Sequence, residues 1–107
     1  GAAEADDQLG LAGKVCIVGT SEPILDVKYL NNGTINAVYT WDAALTGQAT
    51  MNGALMLAEG KTIKPGTNLH VPGYTDIQRC PPGDSPHCFM GNAILVVTKK
   101  NLKQHTF

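Results

Sequence analysis

The sequence KVCIVGTSEP at residues 14–23 decides the fold class of this chain. Residues 14–18 form a continuous apolar run of strand length, and a run without alternation is typical of a strand covered on both faces of a parallel sheet. The turn that follows contains Thr20 and Ser21, either of which can cap a helix with Pro23 in its first turn. The stretch therefore predicts a strand, a turn and a helix in that order.

Helices and one further strand surround this stretch on the chain. Helix-forming residues occupy positions 2–11, and the helix that begins near Pro23 is predicted to end at residues 31–33, where Asn and Gly tolerate the left-handed conformation. Residues 35–41 are rich in β-branched and aromatic side chains and predict the second strand. Residues 43–59 hold Ala, Leu, Met, Gln and Glu, which favour a long helix.

The last third of the chain contains a long irregular segment and one more strand. Residues 61–92 are interrupted by Pro and Gly, with a short strand predicted at residues 68–71, and residues 93–98 predict the final strand. Strands that alternate with helices indicate an α/β sheet with parallel pairs. Such sheets bind ligands beyond the carboxyl ends of their strands, which here are residues 19–23 and 41–42.

Composition and short motifs limit the classes of protein to which this chain can belong. The chain has 107 residues, the size of one small domain, and its net charge of −1 does not predict a nucleic-acid partner, which needs a basic surface. No apolar run approaches the roughly 18 residues of a transmembrane helix, and no signal peptide is visible, as expected of a mature secreted protein or an internal piece of one. No GxSxG, HExxH, Walker or strand-linked GxGxxG pattern occurs, so the sequence predicts no enzyme and no cofactor.

The three cysteines divide into one isolated residue and one pair. Cys16 lies in the apolar run and is predicted to be a buried small hydrophobe. Cys80 and Cys88 bracket a turn-forming segment with three prolines, and their proximity along the chain predicts a disulfide, which would suit an oxidising compartment. A metal site of Cys80, His87 and Cys88 is the alternative, but the segment lacks the CxxC pair that zinc sites usually carry.

The order and spacing of several short segments carry a resemblance to a known family. They are GKVCIVG at 13–19, Pro23, NGT at 32–34, WD at 41–42, Gly47, EGK at 59–61, IKPG at 63–66 and ILVVTKKN at 94–101. The succession resembles the carboxy-terminal third of type I periplasmic binding proteins of sugar ABC transporters. The most similar branch contains rhamnose-binding proteins and the receptor for the furanosyl quorum-sensing autoinducer. The resemblance covers nearly the whole chain.

The resemblance implies a partial periplasmic-binding-protein-like fold, an α/β structure with a mostly parallel sheet flanked by helices. The chain would be the carboxy-terminal fragment of a two-lobed protein. Residues 1–41 would belong to the second lobe, and residues 42–92 would form a hinge crossing, a helix and a loop that return to the first lobe. Residues 93–107 would be the final crossing and the tail. Open sheet edges and apolar helix faces would then require the missing portion or a second copy as partner.

The resemblance also implies a function. The protein would capture a small sugar or sugar-like ligand between two closing lobes and pass it to the membrane component of an ABC transporter. Its location would be periplasmic or secreted. The alternative is a free-standing α/β interaction module that dimerises through its open sheet. The effector-binding core of a transcriptional repressor shares the fold, but that class needs a basic helix-turn-helix segment, which this sequence lacks.

Five residues are the ligand-binding candidates. Ser21 lies nearest the position where many family members carry an acidic residue, with Glu22 beside it, and Pro23 matches a proline whose turn lends backbone groups to the ligand. The alternative for Ser21 is a purely structural role as a helix cap. Trp41 can stack on a sugar ring or pack as a core residue, and Asp42 can bond a ligand hydroxyl or cap the next helix.

Overall fold

The computed structural model describes residues 1–105. The described chain forms two compact units, one made of Gly1–Thr40 together with the segment that begins at Leu95, and the other of Trp41–Ile94. The sequence analysis divided the chain at 41/42 and 92/93 on the basis of the resemblance. The assignment of the segments to lobes of a larger receptor stays a prediction.

Three strands of the first unit form one sheet. In chain order they are β1 (Val18–Thr20), β2 (Ala37–Thr40) and β5 (Leu95–Val97), and their spatial order is β1-β2-β5. Strands β1 and β2 are parallel, as predicted, and the 3-10 turn Pro23–Asp26 and helix α2 (Val27–Asn32) connect them. Helix α1 (Ala2–Gln8) precedes β1. The unit is thus a mixed α/β structure.

The prediction of a mostly parallel sheet is wrong for β5, which runs antiparallel to β2. Thr40 is the last residue before the second unit and pairs with Leu95, the first residue after it. The chain therefore enters β5 beside the point where it left β2 and runs back along that strand. The apolar pattern of residues 93–98 marks a strand but carries no information on its direction.

Strand β1 also begins later than predicted and is not buried. Its three residues are all exposed, Val18 by 54%, because β1 is the edge strand of the sheet among the strands that the structure describes. The preceding residues join the sheet only through Ile17, whose N–H donates to the Asn36 side chain (2.9 Å). The burial predicted for Cys16 is likewise wrong, since this free cysteine is exposed.

A small core and one polar cluster hold the first unit together. The buried apolar residues are Ala3, Leu30, Ile35, Val38, Val97 and Leu102. Asp7 on α1 accepts hydrogen bonds from Asn32 (3.3 Å) and Thr34 (3.4 Å) and pairs with Lys28 (3.0 Å). The hydrogen bond from Lys28 to Asp7 and the carboxylate charge raise the pKa of the lysine. Asp7 therefore links α1 to α2 and to the turn that follows it.

Helix α3 (Ala43–Ala58) is the main element of the second unit and confirms the helix predicted at residues 43–59. Gly60 follows with a positive φ of 75°, a conformation that glycine adopts readily at helix ends. Ala49 is buried against the irregular segment, in a cluster completed by Leu69, Val71 and Ile77. No helix in the described range is long and apolar enough to cross a membrane.

The strand predicted at residues 68–71 is wrong. His70 has a positive φ of 57° and donates its N–H to the Asn68 side chain (2.7 Å), which closes a local turn. The N–H of Tyr74 then donates to the carbonyl of Val71 (2.9 Å). The only strands described in this segment are β3 (Gln78–Arg79) and β4 (Phe89–Met90), which form an antiparallel hairpin.

Candidate functional site

The turn after β1 positions the first group of candidate residues. Ser21 is half-buried, Glu22 is exposed and Pro23 is buried. Glu22 occupies the N-cap position of the 3-10 turn, and no side-chain capping hydrogen bond is found there among the described residues. Its carbonyl accepts from the N–H of Leu25 (3.0 Å), so the backbone closes the turn. The interpretation of Ser21 as a helix cap is therefore wrong.

Ser21 instead lines a cavity of about 280 Å³ in the first unit. Its other lining residues are Gly1, Ala2, Ala3, Ile17, Gly19, Thr20, Asp26, Tyr29, Ile35 and Val38. The cavity thus lies at the carboxyl end of β1, where an open α/β sheet commonly binds ligands. Glu22 and Pro23 are not part of its described lining. We call this space the Ser21 cavity.

Asp26 in this lining is a residue that the sequence analysis missed. Its Oδ2 atom is buried and has no hydrogen-bond partner within the described part of the chain. Although Asp26 occupies the N-cap position of α2, its side chain makes no capping bond to the described backbone. The sequence alone shows an ordinary acidic residue at the start of a helix, because only the fold shows that Asp26 borders a cavity.

Trp41 lies in the second unit and is 48% exposed, so within this chain it is not a core residue. It borders a separate cavity of about 410 Å³, which we call the Trp41 cavity. The other lining residues are Thr46, Tyr74, Phe89, Met90, Gly91, Ala93 and Ile94. Aromatic and aliphatic side chains thus dominate this wall, which suits contact with the apolar face of a ring.

A pair of hydroxyl groups provides the polar part of the Trp41 cavity. The oxygens of Thr46 and Tyr74 are 2.8 Å apart. The Thr46 hydroxyl donates its single proton to the carbonyl of Asp42 (2.9 Å), so Tyr74 is the donor to Thr46. This arrangement ties Tyr74 to the first turn of α3. Neither residue was a sequence candidate, because their 28-residue separation hides the contact.

Asp42 caps α3, which is one of the two roles that the sequence analysis gave for it. Its Oδ1 accepts from the N–H groups of Ala44 (2.8 Å) and Leu45 (3.2 Å). These groups are among the first-turn donors that have no partner inside the helix. One carboxylate oxygen is therefore already engaged by the protein.

Replacing Asp42 by Ala is expected to lower the free energy of unfolding by about 0.5–2 kcal/mol, the usual cost of losing an N-cap side chain. Urea unfolding followed by circular dichroism measures this loss. Asp42→Asn is the control, since asparagine is an equally good cap and should retain most of the stability. Equal losses in both variants would contradict the capping role.

Cys80 and Cys88 are joined by a disulfide, with their Cα atoms 5.4 Å apart. The bridge closes the end of the β3–β4 hairpin, where the N–H of Cys80 donates to the carbonyl of Cys88 (3.2 Å). The carboxylate of Asp84 lies within 4.8 Å of both sulfurs. Because both sulfurs are bonded to each other, this oxidised form does not offer the thiolates that a metal site of Cys80, His87 and Cys88 would need.

Comparison with known proteins adds one finding on the fold. No protein-family model and no curated protein matches the chain. Among solved structures it is similar to LsrB from Clostridium saccharobutylicum in complex with AI-2, with a TM-score of 0.69 and 23% sequence identity. The match covers 98% of this chain and 36% of the LsrB chain. The chain therefore has a fold that is found within LsrB, and it spans about a third of that protein's length.

Proposed function

We propose that this chain is part of a solute-binding protein that captures a small sugar or sugar-like ligand for an ABC transporter, without a chemical step. The observation that carries the proposal is the Ser21 cavity, which places a predicted ligand-binding residue in a concave space at the carboxyl end of a parallel strand. The known ligand of the similar structure, AI-2, supports a small molecule as the ligand class.

The chemistry of the two cavities supports the same ligand class. Small-molecule sites combine mainly apolar walls with a few placed polar groups. The Ser21 cavity offers hydroxyl and carboxylate groups on an apolar background, and the Trp41 cavity offers aromatic rings with the Tyr74 hydroxyl. A sugar presents hydroxyl groups at its edge and an apolar face, so the chemistry of either cavity, taken by itself, suits such a ligand.

A location and partners belong to the same proposal. The disulfide between Cys80 and Cys88 is compatible with a periplasmic or secreted protein, since disulfides persist in oxidising compartments. The membrane component of the ABC transporter would be the protein partner. Because the match spans 36% of LsrB, the remaining part of such a receptor would complete the structure.

One observation favours a second candidate function. The edge strand β1 is exposed at all three residues, and an unpaired strand edge is a template for pairing with another chain. A free-standing module would use this edge to form a homodimer. Sedimentation at several concentrations separates the two functions, because the module predicts a stable dimer without sugar affinity and the receptor predicts sugar binding by a monomer.

The proposal is tested by titrating the isotope-labelled 107-residue chain with D-ribose, L-rhamnose and AI-2 while recording its amide NMR spectrum. We expect weak, saturable shifts, because part of the receptor is absent from the chain. Trp41→Ala should then weaken binding by more than about 1 kcal/mol, the usual scale of aromatic contacts.

The matched control is Met51→Ala on α3, since Met51 is 70% exposed and lies outside both described cavities. Its affinity should equal that of the original chain. If Trp41→Ala also leaves the affinity unchanged, Trp41 is not a ligand contact. If none of the three ligands shifts any resonance, ligand capture by this chain is refuted and the interaction module is favoured.

A further inference from the structure

We propose that Asp26 is a ligand-binding residue of the Ser21 cavity, where its carboxylate accepts hydrogen bonds from the hydroxyl groups of a neutral, single-ring ligand. This inference rests on the proposed function and names a residue and a ligand class for the same site. It starts from a carboxylate that the fold buries without a described partner.

The buried Oδ2 atom of Asp26 favours a ligand as its partner, because the described part of the protein gives this oxygen no hydrogen bond. A buried acceptor without a hydrogen bond loses its water and gains nothing in return, so native structures rarely keep one. The N-cap position would allow Asp26 to accept from the first turn of α2, yet no such side-chain bond forms in the described structure. Its Oδ2 atom has no described hydrogen-bond partner, and Asp26 is one of the residues that line the cavity.

A second buried carboxylate shows why the cavity matters. Asp6 on α1 is only 6% exposed, and its Oδ2 also has no hydrogen-bond partner in the described range. Asp6 is not among the residues described as lining the Ser21 cavity, whereas Asp26 is. Each residue therefore has one buried oxygen without a described partner, but only Asp26 also lines the Ser21 cavity.

The other groups in the cavity wall define the ligand. Hydroxyls of Thr20 and Ser21 can donate or accept, whereas an ionised Asp26 only accepts. Adjacent hydroxyl groups on one ring complement this set, since each of them also donates and accepts. Ile17, Val38 and other apolar residues form the remaining wall. The volume of about 280 Å³ is at the small end of ligand sites, which favours one ring over two.

The test compares Asp26→Asn with Asp6→Asn in the 107-residue chain, using D-ribose and L-rhamnose as probes and amide NMR shifts as the readout. For the original chain, saturable shifts should include the amides of Thr20 and Ser21. Asp26→Asn should weaken binding about tenfold or more, because a hydrogen bond to a charged group is lost. Asp6→Asn removes a buried carboxylate outside this cavity and should leave the affinity unchanged.

Thermal unfolding of the same variants separates a binding role from a structural one. Asp26→Asn should melt at the same temperature as the original chain or higher, since the change removes no described hydrogen bond of the buried Oδ2 atom. A clearly lower melting temperature would show that Asp26 stabilises the fold and would overturn its assignment as a ligand contact. Asp26→Ala is a second variant for the same measurements. It removes the carboxylate as Asp26→Asn does, but it introduces no amide group that could donate a new hydrogen bond.

The outcomes distinguish this inference from the proposed function. Sugar binding that is equally strong in Asp26→Asn, or that shifts no amide near Ser21, overturns the role of Asp26 and leaves ligand capture standing. Failure of every sugar to bind the original chain overturns both. A cationic probe, ethanolamine, that binds more tightly than the sugars and loses affinity with added salt overturns the assignment of a neutral ligand.

Discussion

The Leu30→Ala variant is expected to lose about 2–5 kcal/mol of its free energy of unfolding, the usual cost of truncating a buried leucine. Leu30 on α2 is only 1% exposed and packs in the same cluster as Val38 and Val97, which come from two different strands. Removal of its side chain leaves a cavity at the point where helix and sheet meet. A small protein commonly has only about 5–15 kcal/mol of stability in total, so this loss is a large fraction of it.

The measurement is urea unfolding followed by the amide NMR signals of Val38 and Ala49, which report on the first and the second unit separately. Leu25→Ala is the matched control, because Leu25 is 68% exposed in the neighbouring turn. Its effect should stay within about 0.5 kcal/mol. Similar losses for Leu30→Ala and Leu25→Ala would show that the described core of the first unit is wrong.

The Gly91→Ala variant is expected to lose about 1–3 kcal/mol of stability, at the upper end of this range, because it overpacks a close backbone contact. A Cβ atom at Gly91 would overlap the carbonyl oxygen of Gly73 and the ring of Tyr74. The N–H of Asn92 donates to the same carbonyl (2.7 Å), which holds the two segments together. The Gly73 carbonyl belongs to the backbone, so it cannot move aside as the end of a flexible side chain would.

Gly47→Ala is the control for this prediction. Gly47 lies in the interior of α3, and no described atom outside its local backbone lies within 4 Å of the Cβ that the substitution would add. Alanine there should stabilise the protein by about 0.5–1 kcal/mol, because glycine loses more backbone entropy in a helix. A Gly91→Ala variant as stable as the original chain would contradict the close approach at Gly73. Both variants are measured by urea unfolding.

The local elements were predictable from the sequence. Helix α3 differs from its predicted range by one residue, because Asp42, an alanine-rich interior and Gly60 act through contacts within a few residues. Strand β2 and the order of α1, β1 and α2 were also expected. The candidate turn after β1 followed from the rule that parallel strands bind ligands at their carboxyl ends.

Some failures concern contacts between distant residues, and one concerns local turns. The apolar run before Val18 predicted a buried strand, yet its burial depends on neighbours in space, and the described sheet has none on that side. The strand predicted around His70 gives way to turns whose hydrogen bonds oppose an extended backbone.

By itself, the sequence determined which segments are helical and where they end, since these features depend on local backbone preferences. Only the tertiary structure decided that β5 runs antiparallel to β2, that Tyr74 meets Thr46 and that Asp26 borders the Ser21 cavity. Each of these depends on packing between residues far apart in the chain, for which a periodic pattern carries no signal.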